Sequence, residues 1–301
     1  EEKRLYLARD RFGEKPLFFG WSDGVMLFGS ELKALKQHPC WTGGIDRDAL
    51  GLYLRHNYVP DPYCIYEGLQ KLRPGHWISF SSPMDQAATS RPFWDVEDLI
   101  PGRCKTSAFD TRGEAADALE DLLSDSVRMR MMSDVPIGAF LSGGIDSTTV
   151  VALMQAQSAR AVKTFTIGFE EKRFDESSYA TAVASHLGTD HTELIMTSES
   201  ALNVIPKLPE IWDEPFADSS QIPTYLVAKL ASSSVKVVLS GDGGDELFSG
   251  YSRYGQAHRV WRQINRIPLP VRRASSATLA RIPVLGRDAV NPVSRFWDRL
   301  G

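Results

Sequence analysis

The chain has 301 residues, a formal net charge of −4, and 43% hydrophobic and 24% charged residues, as expected for an ordinary globular protein of about two domains. The slightly acidic balance argues against nucleic acid as the main partner, and no apolar run approaches the roughly 18 residues that a membrane helix needs. Cys40, Cys64 and Cys104 are scattered and form no CxxC pair, which favours a reducing, cytoplasmic compartment over a disulfide framework.

Residues 3–80 are rich in short strand signals and turns. Strands are predicted at RLYLA, PLFFGW, VMLFGS and GHWISF, which are separated by Gly, Asp and Pro. Helices are predicted at SELKALKQHP, which Pro39 ends, and at DRDALGLYLRHNYVP. From 81 to 112 the pattern degrades, so a linker or a domain edge is expected there.

A long helix is predicted to follow this segment. Thr111 and Glu114 have the spacing of a capping box. The apolar residues that then recur on one predicted helical face are Leu119, Leu122, Leu123 and Val127.

Strands and helices alternate through the rest of the chain. The strands are IGAFL, VKTFTIGF, HTELIM and VKVVLS; the helices are STTVVALMQAQ, one from about Asp175 that stops at Gly188, and PTYLVAKLASS. ESALNVIPKLPEIW is helical but interrupted by Pro206 and Pro209. Alternation with continuous apolar strands predicts a parallel sheet covered by helices on both faces.

The stretch AFLSGGIDSTTVVAL, residues 139–153, has the features of an anion-binding turn. Gly143 and Gly144 let the backbone approach a ligand closely, and the following helix offers unpaired N–H groups and a positive end. Ser142, Ser147 and Thr148 add hydroxyl donors. The turn lacks the lysine of a Walker A loop, and Asp146 would repel a phosphate unless Mg²⁺ lay between them. A plain tight turn is the alternative.

Two further acidic stretches follow. Asp242, Asp245 and Glu246 are interleaved with glycines after the strand VKVVLS. A merely solvated acidic turn does not need those glycines, so acids from two strand ends are expected to share divalent metal ions that clamp a polyphosphate. The acids of WDEPFADSS are predicted to be structural loop residues, with a substrate-side role left open; they are Asp213, Glu214 and Asp218.

These motifs resemble a known family. FLSGGIDSTTVVAL resembles the PP-loop of the ATP pyrophosphatase superfamily, and SGDGGDELFSGY with FTIGFEEKRFDESSYA narrows the resemblance to the synthetase domain of glutamine-hydrolysing asparagine synthetases. ARDRFGEKPLFFGW, FGSELKALKQHP and VPDPYCIYEGLQKLRPGHW resemble the later half of that family's N-terminal-nucleophile glutaminase domain. The resemblance covers residues from about 5 to about 255.

The resemblance implies a role for particular residues. The family's phosphate-holding positions correspond here to Ser142, Gly143, Gly144, Asp146 and Ser147, and its other nucleotide-contact positions to Leu141, Ile167, Ser240 and Gly241.

Asp242 matches the acidic position that supports β-aspartyl-AMP formation. Many members have Glu there, so the shorter side chain is expected to reach through metal or water. Asp146 and Asp245 are the expected Mg²⁺ ligands. In the glutaminase half, Asp10 of the Arg9-Asp10 pair matches the residue that holds the glutamine amino group.

The implied organisation is a partial glutaminase domain of α+β class at 1–95, a linker at 96–112 and an α/β synthetase domain with a parallel sheet at 113–301. Residue 1 is Glu, so the family's N-terminal cysteine nucleophile is not matched, and its C-terminal catalytic lysine is not identified. The chain is therefore expected to be a piece of a longer enzyme, and alone it is not expected to hydrolyse glutamine.

The implied reaction uses glutamine, aspartate, ATP and Mg²⁺ to make asparagine through β-aspartyl-AMP, with release of pyrophosphate. No nucleic-acid or membrane partner is expected, and a homodimer of the full-length form stays open. Alternative acceptors are sugar carboxylates and β-lactam or peptide precursors. A nucleotide-binding remnant without catalytic activity is the alternative if the chain is complete.

Residues 247–287 contain eight arginines and no acid. An amphipathic helical region that packs against further chain is favoured there over an anion-binding surface.

Overall fold

A computed structural model describes residues 3–279, except for 83, 86, 100–108, 172 and 174. The chain forms two compact units, one up to Ser240 and one from Gly241. Across the described part of the chain, no helix is both long enough and apolar enough to cross a membrane.

Among residues 1–95, those that the structure describes form two small antiparallel sheets and two helices. The strands are β1 (Leu5–Ala8), β2 (Phe18–Ser22), β3 (Val25–Gly29), β4 (Leu69–Lys71), β5 (His76–Phe80) and β6 (Arg91–Pro92). The helices are α1 (Leu32–Leu35) and α2 (Arg47–His56). The strand orders are β1-β5-β6 and β3-β2-β4. All four predicted strands and both helices are present, although α1 is shorter than predicted.

The rest of the first unit is built on a four-stranded parallel sheet. Its strands are β7 (Ile137–Phe140), β8 (Lys163–Phe169), β9 (Asp190–Met196) and β10 (Val237–Leu239), in the order β10-β7-β8-β9. Each strand matches a predicted one, and the parallel pairing confirms the predicted fold class. Since β7 and β10 are parallel neighbours, the chain leaves both at the same edge of the sheet.

The helices of this region are α3 (Arg112–Met131), α4 (Ile145–Ala156), α5 (Ser177–Leu187), α6 (Ser198–Leu202), α7 (Leu208–Ile211) and α8 (Gln221–Ser232). Short 3₁₀ turns at Val96–Leu99 and Ile205–Lys207 complete it. The predicted interruption at Pro206 and Pro209 is confirmed, because the helical stretch divides into α6, a 3₁₀ turn and α7. The predicted stop of α5 is also confirmed, since Gly188 has φ +69°.

The long helix α3 begins where it was predicted to begin, but the face that it buries differs from the predicted one. Thr111 Oγ1 accepts the Glu114 N–H, and the Glu114 side chain accepts the Thr111 N–H in return, so the capping box is formed. Val127 is buried against α4 and α5, but Leu122 is 70% exposed. The predicted face is therefore wrong at Leu122, because the less exposed side chains lie four residues apart, with Leu119 and Leu123 half-buried and Val127 buried.

The second unit is helical in its described part. It contains α9 (Gly244–Phe248), α10 (Ser252–Ile264) and α11 (Leu269–Leu279). Large apolar side chains are exposed on α9 and α10, among them Leu247, Phe248 and Trp261. Residues 280–287 of the predicted arginine-rich region lie outside the described residues, as do 100–108 of the predicted linker.

Candidate nucleotide and glutamine sites

The turn Ser142–Gly144 joins a buried strand to a helix. Leu141 extends the pairing of β7 with β8, because its N–H donates to the Phe165 carbonyl at 2.9 Å. Gly144 is the N-cap of α4, and its cap makes no side-chain hydrogen bond. The first N–H groups of a helix have no partner inside the helix, and this end carries the positive end of the helix dipole. The turn thus presents backbone donors suited to an anion at the carboxyl edge of the sheet.

Gly143 is required by both its backbone conformation and its surroundings. Its φ is +80°, in the left-handed region that glycine adopts at least cost. A Cβ at this position would lie 2.7 Å from the Ala180 backbone nitrogen and 2.7 Å from Tyr179 Cβ. The turn therefore packs directly on the start of α5, and no other residue fits there without a shift.

Two serine hydroxyls hold the turn in shape. Ser142 Oγ and Ser147 Oγ lie 2.9 Å apart, and Ser147 Oγ also accepts the Ser142 N–H at 3.2 Å. Ser142 Oγ accepts the Gly144 N–H at 3.3 Å. Because a hydroxyl can rotate its proton, both serines can turn a donor toward a ligand without moving the backbone. Thr148 differs from the prediction: its Oγ1 is buried and has no hydrogen-bond partner among the described residues.

Asp146 lies in the first turn of α4 and is that turn's acidic residue. Within the described residues, no group of three or more His, Cys, Asp or Glu side chains is placed to hold a metal ion. Mg²⁺ is usually bound by one or two carboxylates together with substrate phosphates, rather than by a cage of protein ligands. A single carboxylate beside an anion-binding turn fits that mode of binding.

An open cleft of about 230 Å³ lies beside the turn. Its walls come from the ends of β7 and β8, the start of α5 and the first turns of α8, and they include Leu141, Ser142, Ile167, Glu176, Pro223 and Thr224. The structure thus brings together three of the residues predicted to contact the nucleotide. The cleft is smaller than pockets that enclose whole drug-sized ligands, so it suits one end of a nucleotide, with the phosphates over the turn.

The α8 wall and Glu176 are parts of the cleft that the sequence does not predict. Val227 of α8 packs against a cluster that contains Phe165 of β8, and this packing brings Pro223 and Thr224 to the strand ends. The nearest signal in the sequence is the apolar face of PTYLVAKLASS, which indicates a helix on the sheet but not which strand it covers.

The loop after β10 divides between the two units. Ser240 is the last residue of the first unit, at the edge of the sheet where the turn after β7 also lies. In the second unit, Gly243 has φ +93°, and the Gly244 N–H donates to the Gly241 carbonyl at 3.2 Å. Asp242 directly precedes Gly243, the N-cap of α9, and Asp245 and Glu246 lie in the first turn of α9.

Glu246 has a partner within its own unit. Tyr251 Oη donates to Glu246 Oε1 at 2.8 Å, and this hydrogen bond raises the pKa of Tyr251 to about 12. Glu246 is therefore engaged by a side chain of its own unit.

Asp10 lies at the start of a closed loop. Its Oδ2 accepts the Glu14 N–H at 2.9 Å and its Oδ1 accepts the Lys15 N–H at 3.1 Å. Partial burial acts to raise the Asp10 pKa, but backbone hydrogen bonds from Lys15, Glu14 and Gly13 and the charge of Arg9 outweigh it and lower the pKa. A carboxylate offers about four acceptor positions, so Asp10 keeps capacity for an ammonium group.

Family comparisons agree with this arrangement. The family model described as Asparagine synthase matches residues 118–297, and the one described as Glutamine amidotransferase domain matches residues 1–94.

Individual proteins match most of the chain. A Methanocaldococcus jannaschii protein provisionally named glutamine-hydrolysing asparagine synthetase 2 is 36% identical over 260 residues, covering 85% of the chain and 48% of the relative. Glutamine-hydrolysing asparagine synthetase 1 of Bacillus subtilis is 35% identical over 267 residues, covering 88% and 40%. A more distant relative, amidase chry2 of Gibberella zeae, is 28% identical over 272 residues, covering 84% and 38%. The chain spans less than half the length of these relatives.

Proposed function

Because the chain belongs to the asparagine synthase family, we propose that it is the ATP-binding and glutamine-binding part of an AMP-forming amide ligase. The observation that carries the proposal is the lysine-free turn Ser142–Gly144, which opens toward an apolar cleft at the carboxyl edge of the parallel sheet. Aspartate is the proposed acceptor and asparagine the product. The proposed domains are a partial glutaminase at 1–95, a linker at 96–112 and a synthetase at 113–301.

In the proposed site, the pyrophosphate part of ATP lies on the turn. The N–H groups of Gly143, Gly144 and the start of α4 donate to it, and Ser142 and Ser147 add hydroxyl donors. The adenosine end occupies the cleft against Leu141 and Ile167. Backbone donors fixed before the reaction bind the leaving pyrophosphate without the reorganisation that water would need.

The proposed reaction has two chemical steps at this site. A β-carboxylate oxygen of aspartate attacks the α-phosphorus, the bond to the bridging oxygen breaks, and pyrophosphate leaves. Ammonia then attacks the acyl carbon and AMP leaves with the former carboxylate oxygen. Sequestered ammonia stays unprotonated and close to the acyl adenylate, which raises its effective concentration.

The remaining proposed roles follow from the sequence motifs. Asp146 and Asp245 are each proposed as a ligand of Mg²⁺, which when bound neutralises phosphate charge. The matched positions Ser240 and Gly241 are proposed nucleotide contacts, and Asp242 is the proposed acid that supports adenylate formation. These last roles rest on the sequence motif SGDGGDELFSGY.

The test is exchange of labelled pyrophosphate into ATP by the full-length protein, measured with aspartate and without a nitrogen source. Exchange should require aspartate. Asp242→Asn should lower it on the order of 100- to 1000-fold, as expected for removing one electrostatic contributor to a transition state. Asp134→Asn is the matched control, because Asp134 is an exposed acid at the opposite, amino end of β7.

Thermal unfolding and glutamine hydrolysis of the Asp242→Asn protein should stay near wild type, since neither depends on this turn. If Asp242→Asn exchanges normally, Asp242 is only a turn residue. If pyrophosphate exchange requires a different carboxylate, that compound and not aspartate is the acceptor.

A further inference from the structure

An acidic pair after α7 joins the synthetase region to the glutaminase region within the first unit. Asp213 accepts the N–H groups of Leu32 and Lys33 at 2.9 and 3.1 Å, and it lies 3.7 Å from the Lys33 ammonium. The N-cap of α1, Glu31, makes no side-chain cap hydrogen bond. Asp213 therefore caps α1 from about 180 residues away in sequence.

Glu214 makes a different and more buried contact. Its Oε1 accepts the Ile65 N–H at 2.8 Å, and its Oε2 lies 2.5 Å from the Lys71 ammonium. The two side chains are only 13% and 10% exposed. Removing one partner of a buried ion pair leaves the other charge uncompensated, which forces the remaining partner to find a new arrangement.

Lys71 continues the contact toward the amino-terminal loop. Its ammonium donates to the Val59 carbonyl at 2.5 Å and lies 4.0 Å from Asp61 Oδ1. The other oxygen of Asp61 pairs with the Arg9 guanidinium at 3.0 Å. Four charges of alternating sign thus run from Glu214 through Lys71 and Asp61 to Arg9; we call them the charge ladder.

Arg9 ends the charge ladder on the loop that carries Asp10. Its guanidinium donates to the carbonyls of Gly13 and Lys15, each at 3.1 Å, and to the Leu72 carbonyl at 2.8 Å. Asp10 accepts N–H groups of the same loop from Glu14 and Lys15. Arg9 and Asp10 therefore fix the loop together, and the position of the Asp10 carboxylate follows the position of Arg9.

We propose that Glu214, a residue of the synthetase region, is a positioning residue for the glutamine site, acting on Asp10 through the charge ladder. The proposal rests on the function proposed above for Asp10. Without the Glu214 charge, Lys71 keeps Asp61 as its acidic neighbour in the ladder and competes with Arg9 for it. Arg9 then holds the loop less firmly, and the Asp10 carboxylate is less well oriented for an ammonium group.

Hydrogen exchange of the 301-residue protein tests the positioning step without any enzymatic readout. Glu214→Gln should speed exchange of the Glu14 and Lys15 amides on the order of tenfold, within the range known for mutations that alter coupling between sites. Asp213→Asn is the matched control from the same segment. It should speed exchange at Leu32 and Lys33 and leave the Asp10 loop unchanged. Unchanged loop exchange in a folded Glu214→Gln protein would overturn the proposal.

Steady-state kinetics of the full-length protein test the consequence. Glu214→Gln should raise the KM for glutamine on the order of tenfold and leave ammonia-dependent synthesis within about twofold, while Asp213→Asn changes neither. An equal loss of both activities would mean that Glu214 serves only overall stability. Absence of any ATP-dependent synthesis in the wild type would contradict the proposed function, but the exchange experiment would still decide the role of Glu214.

Glu214→Asp covers the case in which Glu214→Gln does not fold. It keeps the charge and shortens the reach to Lys71 by one methylene, so an intermediate rise in loop exchange is expected. If Glu214→Gln cannot fold and Glu214→Asp shows loop exchange equal to that of wild type, the result counts against the charge ladder. The distance between the carboxylate at position 214 and the Lys71 ammonium would then have no effect on the loop that carries Asp10.

Discussion

The geometry of the turn Ser142–Gly144, the proposed phosphate-binding turn, requires glycine at position 143. Its φ of +80° and the 2.7 Å approach of α5 leave no space for a side chain. The pattern Ser-Gly-Gly predicts a tight turn, but only the structure shows that α5 packs on it and that Ser142 and Ser147 are bonded to each other. Such contacts depend on tertiary packing between residues that are far apart in sequence.

We expect Gly143→Ala to weaken ATP binding roughly 10- to 100-fold, because the turn must shift and its hydrogen bonds to a charged group are lost. Gly188→Ala is the control: Gly188 also has a positive φ, +69°, but nothing lies within 4 Å of an added Cβ. Both variants should unfold at a lower temperature, since a left-handed alanine costs about 1 kcal/mol, but only Gly143→Ala should bind ATP poorly in calorimetric titration. Equal ATP affinity of the two would contradict the assigned role of the turn.

The acids show what sequence patterns leave open at the residue scale. Spacing alone does not distinguish Asp213 and Glu214 from catalytic acids, because their partners Leu32, Ile65 and Lys71 are between 143 and 181 positions away. The predicted structural role is the one that the structure supports, since each acid binds backbone N–H groups of the glutaminase region.

At the scale of elements, helix α3 packs against α4, the helix that follows the turn Ser142–Gly144. Val127 and Met131 of α3 pack in the same cluster as Val151 and Met154 of α4. The start of α3 was predictable because a capping box is a local signal between Thr111 and Glu114. The exposure of Leu122 was not predictable, because the angle at which α3 meets α4 decides which of two adjacent helical positions is buried.

Loss of the cap should therefore affect stability rather than ligand binding. Thr111→Ala is expected to destabilise the protein by about 1 kcal/mol, which corresponds to a fall in Tm of roughly 2–4 °C. Thr111→Ser keeps the hydroxyl and should stay near wild type. ATP affinity should be unchanged in both, because Thr111 belongs neither to the turn Ser142–Gly144 nor to the lining of the cleft beside it. A Tm of Thr111→Ala equal to that of wild type, measured by scanning calorimetry, would show that the α3 terminus frays in solution.

At the scale of the whole molecule, the parallel sheet was predictable from the alternation of helices and apolar strands. The order β10-β7-β8-β9 was not predictable, because no local sequence signal specifies that β10 pairs with β7 rather than with β9. That order supports the proposed function, since it brings Ser240 and the turn Ser142–Gly144 to the same edge of the sheet. The division into units at Ser240 was likewise absent from the sequence pattern.

The proposed function is the activation of a carboxylate with release of pyrophosphate, so the products formed from ATP test it most directly. The full-length protein would be supplied with ATP, aspartate and either glutamine or ammonia, and the phosphorus-containing products would be quantified by ³¹P NMR against the amide formed. The proposed reaction yields one AMP and one pyrophosphate for each amide. Stoichiometric ADP and phosphate for each amide would contradict it, because the turn after β7 would then not be holding a leaving pyrophosphate.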